Sequence, residues 1–125
     1  IDMDGMKQIN DNYGHIEGDY ALKKVREAIH HACPDAVIQA RTGGYEFEII
    51  AEDIAEDEGV HYLEELVAYL DAFNESGGND IHASYGYACR VPSQQDTMEI
   101  FIKESDEIMY RNKVINKINR GEALR

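Results

Sequence analysis

No apolar run in this 125-residue chain approaches the length of about 20 residues that spans a bilayer, and no basic, apolar and small-residue succession marks a leader peptide. The expectation is a soluble, cytoplasmic domain with no membrane contact by this stretch. Cysteine is scarce: Cys33 and Cys89 lack metal-type spacing and sit in runs that read as buried, so free thiols are expected rather than a disulfide. Basic residues are few, 12 against 25 acidic ones, and the net charge of -13 argues against nucleic acid as a partner because it repels a phosphate backbone. Linkers, internal repeats and low-complexity segments are lacking, which leaves one domain with one core. An initiator Met is lacking as well. Ile1 opens on what reads as the end of a strand, so a fragment of a longer protein is expected.

The charge is unevenly placed. Glu52 to Glu75 holds nine acidic residues and no Lys or Arg, most simply a solvated helix face. Arg111 to Arg125 holds five basic residues and one acidic, a basic tail that either caps a helix C-terminus or faces phosphates.

Hydropathy periodicity divides the chain into short elements. Ile1 to Asp4 alternates as a strand that buries Ile1 and Met3 and carries Asp2 and Asp4 on its other face. A helical turn over Met6 to Asn12 breaks at Gly14. From an N-cap at Asp19, the residues Leu22, Val25, Ala28, Ile29 and Ala32 recur at helical spacing until Pro34. Ala36 to Thr42 and Glu46 to Ala51 read as the arms of a hairpin whose Gly43-Gly44 turn needs positive φ. Val60, Leu63, Leu66, Val67, Leu70 and Phe73 mark a second amphipathic helix, with Tyr62 and Tyr69 at the core edge, ended by Ser76 to Asn79. Ile81 to Val91 alternates as a strand in which Gly86 marks a bulge or a close backbone approach. A last helix carries Ile100, Phe101, Ile108 and Met109, with the basic tail after it. The order predicts an α+β fold, a mostly antiparallel sheet flanked by helices.

Two stretches carry the chemistry. Asp2-Met3-Asp4, Lys7, Ile9-Asn10-Asp11, Gly14-His15 and Gly18-Asp19 form one series, and Arg41-Thr42-Gly43-Gly44-Tyr45-Glu46-Phe47 the other. With Ser84 to Ala88, Ser105-Asp106, Met109-Tyr110 and Lys113, they resemble the GGDEF domain, the diguanylate cyclase family. The resemblance implies a nucleotide-cyclase-like fold over residues 1–118, without its usual N-terminal segment, and a basic tail at 119–125. It implies GTP as ligand, a homodimer or partner GGDEF domain, and magnesium, a hard ion that prefers oxygen donors near phosphates. In the family two GTP molecules on facing domains condense to cyclic di-GMP.

By resemblance Asp2 and the backbone carbonyl of Met3 bind metal, Asn10 and Asp19 read the guanine edge, and Lys7, Lys113 and Lys117 meet phosphates beside Gly43 and Gly44. The departure is Tyr45, which stands where the family has a catalytic metal carboxylate. A phenol with pKa near 10 is neutral at pH 7 and a poor magnesium ligand. Glu46, one residue along, points to the opposite face of a regular strand and does not substitute. The family's inhibitory Arg-x-x-Asp product site is absent too, its positions being Pro34 and Val37. Three readings follow: a degenerate domain in cyclic di-GMP signalling that retains GTP binding or a regulatory role with magnesium weakened or lost, an active diguanylate cyclase, or a structural dimerisation module.

Overall fold

The computed structural model describes residues 1–33, 38–77 and 80–121. It forms two compact units, one of residues 1–4 and 83–125, the other of Gly5–His82. The α+β expectation holds in both, but the expected single sheet resolves, among the described residues, into two separate two-stranded pairs.

The larger unit contains α1 (Met6–Tyr13), α2 (His15–Ala32), the strands β1 (Ile38–Arg41) and β2 (Phe47–Ile50), and α3 (Glu56–Glu75). Its core is the one that periodicity predicts. Val25, Ala28 and Ile29 of α2 are buried, as are Leu66 and Leu70 of α3, and α2 packs on both α1 and α3. Each large aliphatic side chain removed from water in this way contributes about 1.5 to 3 kcal/mol. The acidic stretch becomes the first turn and outer face of α3: Glu56, Asp57 and Glu58 sit at its N-terminus, where the helix dipole favours anions.

Helix α2 begins five residues earlier than the periodicity predicts, and Asp19 does not cap it. Gly14 occupies the N-cap position at φ 86° and ψ 169°, a backbone region that only glycine enters freely, so the chain turns there and α2 starts at His15. Asp19 lies inside the helix, exposed.

The hairpin forms in the expected place. Arg41 pairs with Phe47 and Ile38 with Ile50 in an antiparallel register, and the amide of Thr42 donates to the Glu46 carbonyl at 3.0 Å. Its loop is wider than a two-residue turn, and neither Gly43 nor Gly44 has positive φ. The wider loop removes the steric demand that a tight turn would impose. Ala36 and Val37, at the start of the expected first arm, and Gly78-Asn79, at the expected helix end, lie outside the described residues, as does Pro34.

The smaller unit contains the chain's first strand, β0 (Asp2–Asp4), the last two residues of β3 (His82–Ser84), which pairs with it, and α4 (Met98–Asn119). The alternation from Ile81 to Val91 yields only these few strand residues. At Gly86 a side chain would collide with the Ser105 carbonyl and the Met109 amide, so the backbone lies against α4 instead of continuing a ladder. Helix α4, capped by the Thr97 hydroxyl accepting from the Ile100 amide at 3.3 Å, runs through most of the basic stretch. Arg111, Lys113 and Lys117 are therefore helical rather than part of a tail, and residues 122–125 lie outside the described ones. Cys33 is buried, whereas Cys89, which the sequence pattern places inside, is exposed in the segment after β3. Burial pushes the Cys33 thiol pKa up.

Candidate functional site

In the larger unit, α1 supplies Lys7 and Asn10, α2 supplies Asp19, and the hairpin loop supplies Gly43, Gly44, Tyr45 and Glu46. Packing of α1 on α2 brings the Asn10 amide over Gly18, the residue before Asp19. A Cβ on Gly18 would overlap Asn10 Oδ1, so the Gly-Asp step admits the amide and then presents a carboxylate beside it in sequence. Lys7 and Asp19 are exposed and Asn10 is half-buried.

The loop is organised by Arg41. Its Nε donates to the carbonyls of Gly43 at 3.2 Å and Gly44 at 3.1 Å. Around Gly44 there is open space for a ligand to approach the backbone, while Glu46 folds back toward Gly43. Tyr45 is half-buried, and its hydroxyl accepts a hydrogen bond from Asn10 Nδ2. Sequence reasoning missed this contact, which joins residues 35 positions apart. The other end of the same amide, Asn10 Oδ1, is buried without a hydrogen-bond partner.

In the smaller unit, the two acidic residues of β0 have different environments. Asp2 pairs with Lys113 of α4 at 2.6 Å. Asp4 does not share an open face with it, as strand alternation predicts, but is buried, with Ser84 and Arg120 on its carboxylate and Lys113 at 3.8 Å. Asn116 donates to the Ser84 hydroxyl at 3.2 Å and extends the network along α4. The reason is pairing: β3 brings a small hydroxyl opposite Asp4, and helix α4 brings cations, so the charge is buried with partners. Lys117 is half-buried on the same helix.

For magnesium, Asp2 and the Met3 carbonyl fit in kind, being hard oxygen donors. Asp4 is committed to internal partners, and no cluster of three or more His, Cys, Asp or Glu residues suited to a metal occurs among the described residues, so a magnesium ion held here would complete its shell with water and phosphate oxygens. A shallow depression on the exposed face of α4, lined by residues including Ile102, Asp106 and Tyr110, contains none of the candidate residues.

The chain matches the family model "Diguanylate cyclase, GGDEF domain" over residues 1–118. It is 30% identical to the diguanylate cyclase VdcA of Vibrio cholerae over 94% of this chain and 36% of that protein. It is 36% identical to the probable diguanylate cyclase DgcJ of Escherichia coli over 97% of this chain and 23% of that protein. The chain thus spans about a third or less of these relatives' length. Among solved structures, the active GGEEF domain of a diguanylate cyclase from Vibrio cholerae superposes with a TM-score of 0.73 at 23% identity, over 91% of this chain and 73% of that one. An EAL/GGDEF domain protein from M. capsulatus superposes with a TM-score of 0.71 at 29% identity, covering 91% of this chain and 75% of that one. No described helix is long and apolar enough to cross a membrane.

Proposed function

Since this chain belongs to the GGDEF domain family, we propose that it is a degenerate member which retains guanine-nucleotide binding and a regulatory role in cyclic di-GMP signalling while making little cyclic di-GMP. The observation that carries this reading is Tyr45, a neutral phenol at the position where the family motif has a carboxylate. Loss of one preorganised electrostatic group commonly costs a hundredfold or more in rate. The base-reading pair Asn10 and Asp19 persists, and an amide with a carboxylate matches the acceptor and donors of a guanine edge.

In the larger unit Lys7 is a cationic donor suited to a phosphate, and the open approach to Gly44 suits a phosphate close to the backbone; Lys113 and Lys117, in the smaller unit, are phosphate donors by family resemblance alone. Lys113 is held by Asp2, so phosphate contact by Lys113 requires that pair to be exchanged. Asp2 and the Met3 carbonyl would hold magnesium, which when bound neutralises phosphate charge. Glu46 lies one position along from the motif carboxylate and is exposed, folded toward Gly43; we assign it no metal.

Two assays test the reading. Calorimetry is expected to detect GTP binding with guanine preferred over adenine, and Asn10→Ala is expected to remove the preference. A mismatched base leaves polar groups unpaired, at about 1 to 3 kcal/mol each. With GTP and magnesium, product formation is expected to be negligible. Robust turnover abolished by Asp2→Ala would instead establish an active cyclase, and failure to bind GTP would leave the dimerisation module.

A further inference from the structure

We propose that the Tyr45 hydroxyl is the resident occupant of the Asn10 amide, so that a guanine base must displace Tyr45 before Asn10 can read it. The inference rests on the reading that Asn10 contacts the base, and deepens it by naming what controls access.

Three observations converge on the contact. Tyr45 extends from the hairpin loop to Asn10 on α1 and takes the hydrogen bond of Nδ2. The amide cannot retreat toward α2 without meeting Gly18, whose missing side chain already leaves it just enough room. Its Oδ1 end is buried and has no hydrogen-bond partner, so Tyr45 satisfies the Nδ2 end of the amide and that end only. A hydroxyl both donates and accepts, and it therefore satisfies whichever end of the amide faces it.

Competition follows from this geometry. In the nucleotide-free domain, the Nδ2 donor that would recognise guanine is already used. A base gains the Asn10 hydrogen bond only by exchanging the one from Tyr45, so the net gain from base reading is smaller than in a site whose amide faces water or nothing. Because the competing group is a neutral hydroxyl, its effect is independent of metal. It also acts on the base and not on the phosphates. Those two properties separate it from the loss of a metal carboxylate at the same residue.

Tyr45→Phe removes the hydroxyl while keeping the ring and the charge. The expected result is GTP binding about fivefold tighter than in the unmodified chain, equally with magnesium and with excess chelator, and a smaller change for ATP. Side-chain amide signals of Asn10 in the nucleotide-free protein, followed by NMR, are expected to shift on the same substitution. Unchanged or weaker GTP affinity in Tyr45→Phe, with binding retained in both proteins, overturns the competition and leaves nucleotide binding standing. Equal tightening for GTP and ATP also overturns it, because the ring environment and not the base edge would then be at work. Absence of GTP binding in both proteins overturns nucleotide retention and with it the competition, whereas unshifted Asn10 signals overturn the contact itself.

Discussion

The Ser84 hydroxyl lies 2.9 Å and 3.1 Å from the two carboxylate oxygens of Asp4, across 80 residues of sequence, with both side chains buried. The pair ties β3 to β0 and fixes a charged group in the interior of the smaller unit, where Arg120 at 3.2 Å balances it. Removing either partner strands the other. Ser84→Ala is expected to destabilise the chain by about 1 to 3 kcal/mol, the cost of an unmade hydrogen bond to a buried charge. Asp4→Ala is expected to cost more, about 3 to 5 kcal/mol, because it leaves the hydroxyl and the facing cations without their anion. Denaturant titration checks both; equal stability of Ser84→Ala and the unmodified chain would show that the bond contributes nothing net.

Gly18 and Gly86 meet different neighbours, and the same substitution should act on them in different ways. At Gly86 an added Cβ meets the backbone of α4, which cannot give way, so Gly86→Ala is expected to destabilise by about 1 to 3 kcal/mol. At Gly18 the obstacle is the end of the Asn10 side chain, which can turn aside, and alanine is the better helix former by about 1 kcal/mol. Gly18→Ala should therefore keep or raise thermal stability while abolishing the preference for GTP over ATP. A loss of stability at Gly18 with guanine preference intact would contradict the placement of the Asn10 amide.

Placing a carboxylate at position 45 is expected to have an effect whose sign depends on metal. Compared with Tyr45→Phe, which already lacks the hydroxyl, Tyr45→Asp or Tyr45→Glu is expected to raise GTP affinity in magnesium, by supplying an anionic oxygen donor, and to lower it in excess chelator, by placing a negative charge near the triphosphate. Calorimetry in both conditions decides the matter, and the same shift in both would show that position 45 is not a metal-ligand position. Partial recovery of turnover is a further expected gain, limited by the need for two domains to face one another.

Asp96 provides the acid-sensitive contact of the smaller unit. Arg90 beside it, and the Ser93 amide donating at 2.7 Å, hold its carboxyl at about 2, below the ordinary 3.8. A carboxyl depressed in the folded state adds stability that is complete above about pH 4 and is lost as pH falls toward 2. Arg90 is exposed and Asp96 half-buried, at the surface, where such a pair contributes little and is salt-sensitive. Thermal melts of the unmodified chain and Asp96→Asn are expected to differ at pH 5 to 7 and to converge as pH falls from about 4 to about 2. A difference that persists at pH 2 would mean that the aspartate acts through shape and not charge.

By itself the sequence determined the helices, the hairpin and the chemical anomaly. Val25, Ala28 and Ile29 at helical spacing, and Leu66 with Leu70, announce faces that must be buried, because local spacing decides which side chains share a face. Likewise the run Gly43-Gly44-Tyr45-Glu46-Phe47 is a fact of the residues alone, and reading Tyr45 as standing for a carboxylate comes from the family resemblance. Only the tertiary structure decided which faces meet. Strand alternation puts Asp4 outside, yet pairing with Ser84 and the cations of α4 puts it inside. Alternation also prolongs the strand beyond Ser84, yet close packing of Gly86 on α4 ends it. Asp19 has the chemistry of an N-cap, but the turn at Gly14 starts the helix sooner. The contact of Tyr45 with Asn10 joins a loop to a helix 35 residues away, and no periodicity carries that information. Periodicity reports the local direction of a side chain; a partner distant in sequence is selected by packing, which only the folded chain specifies.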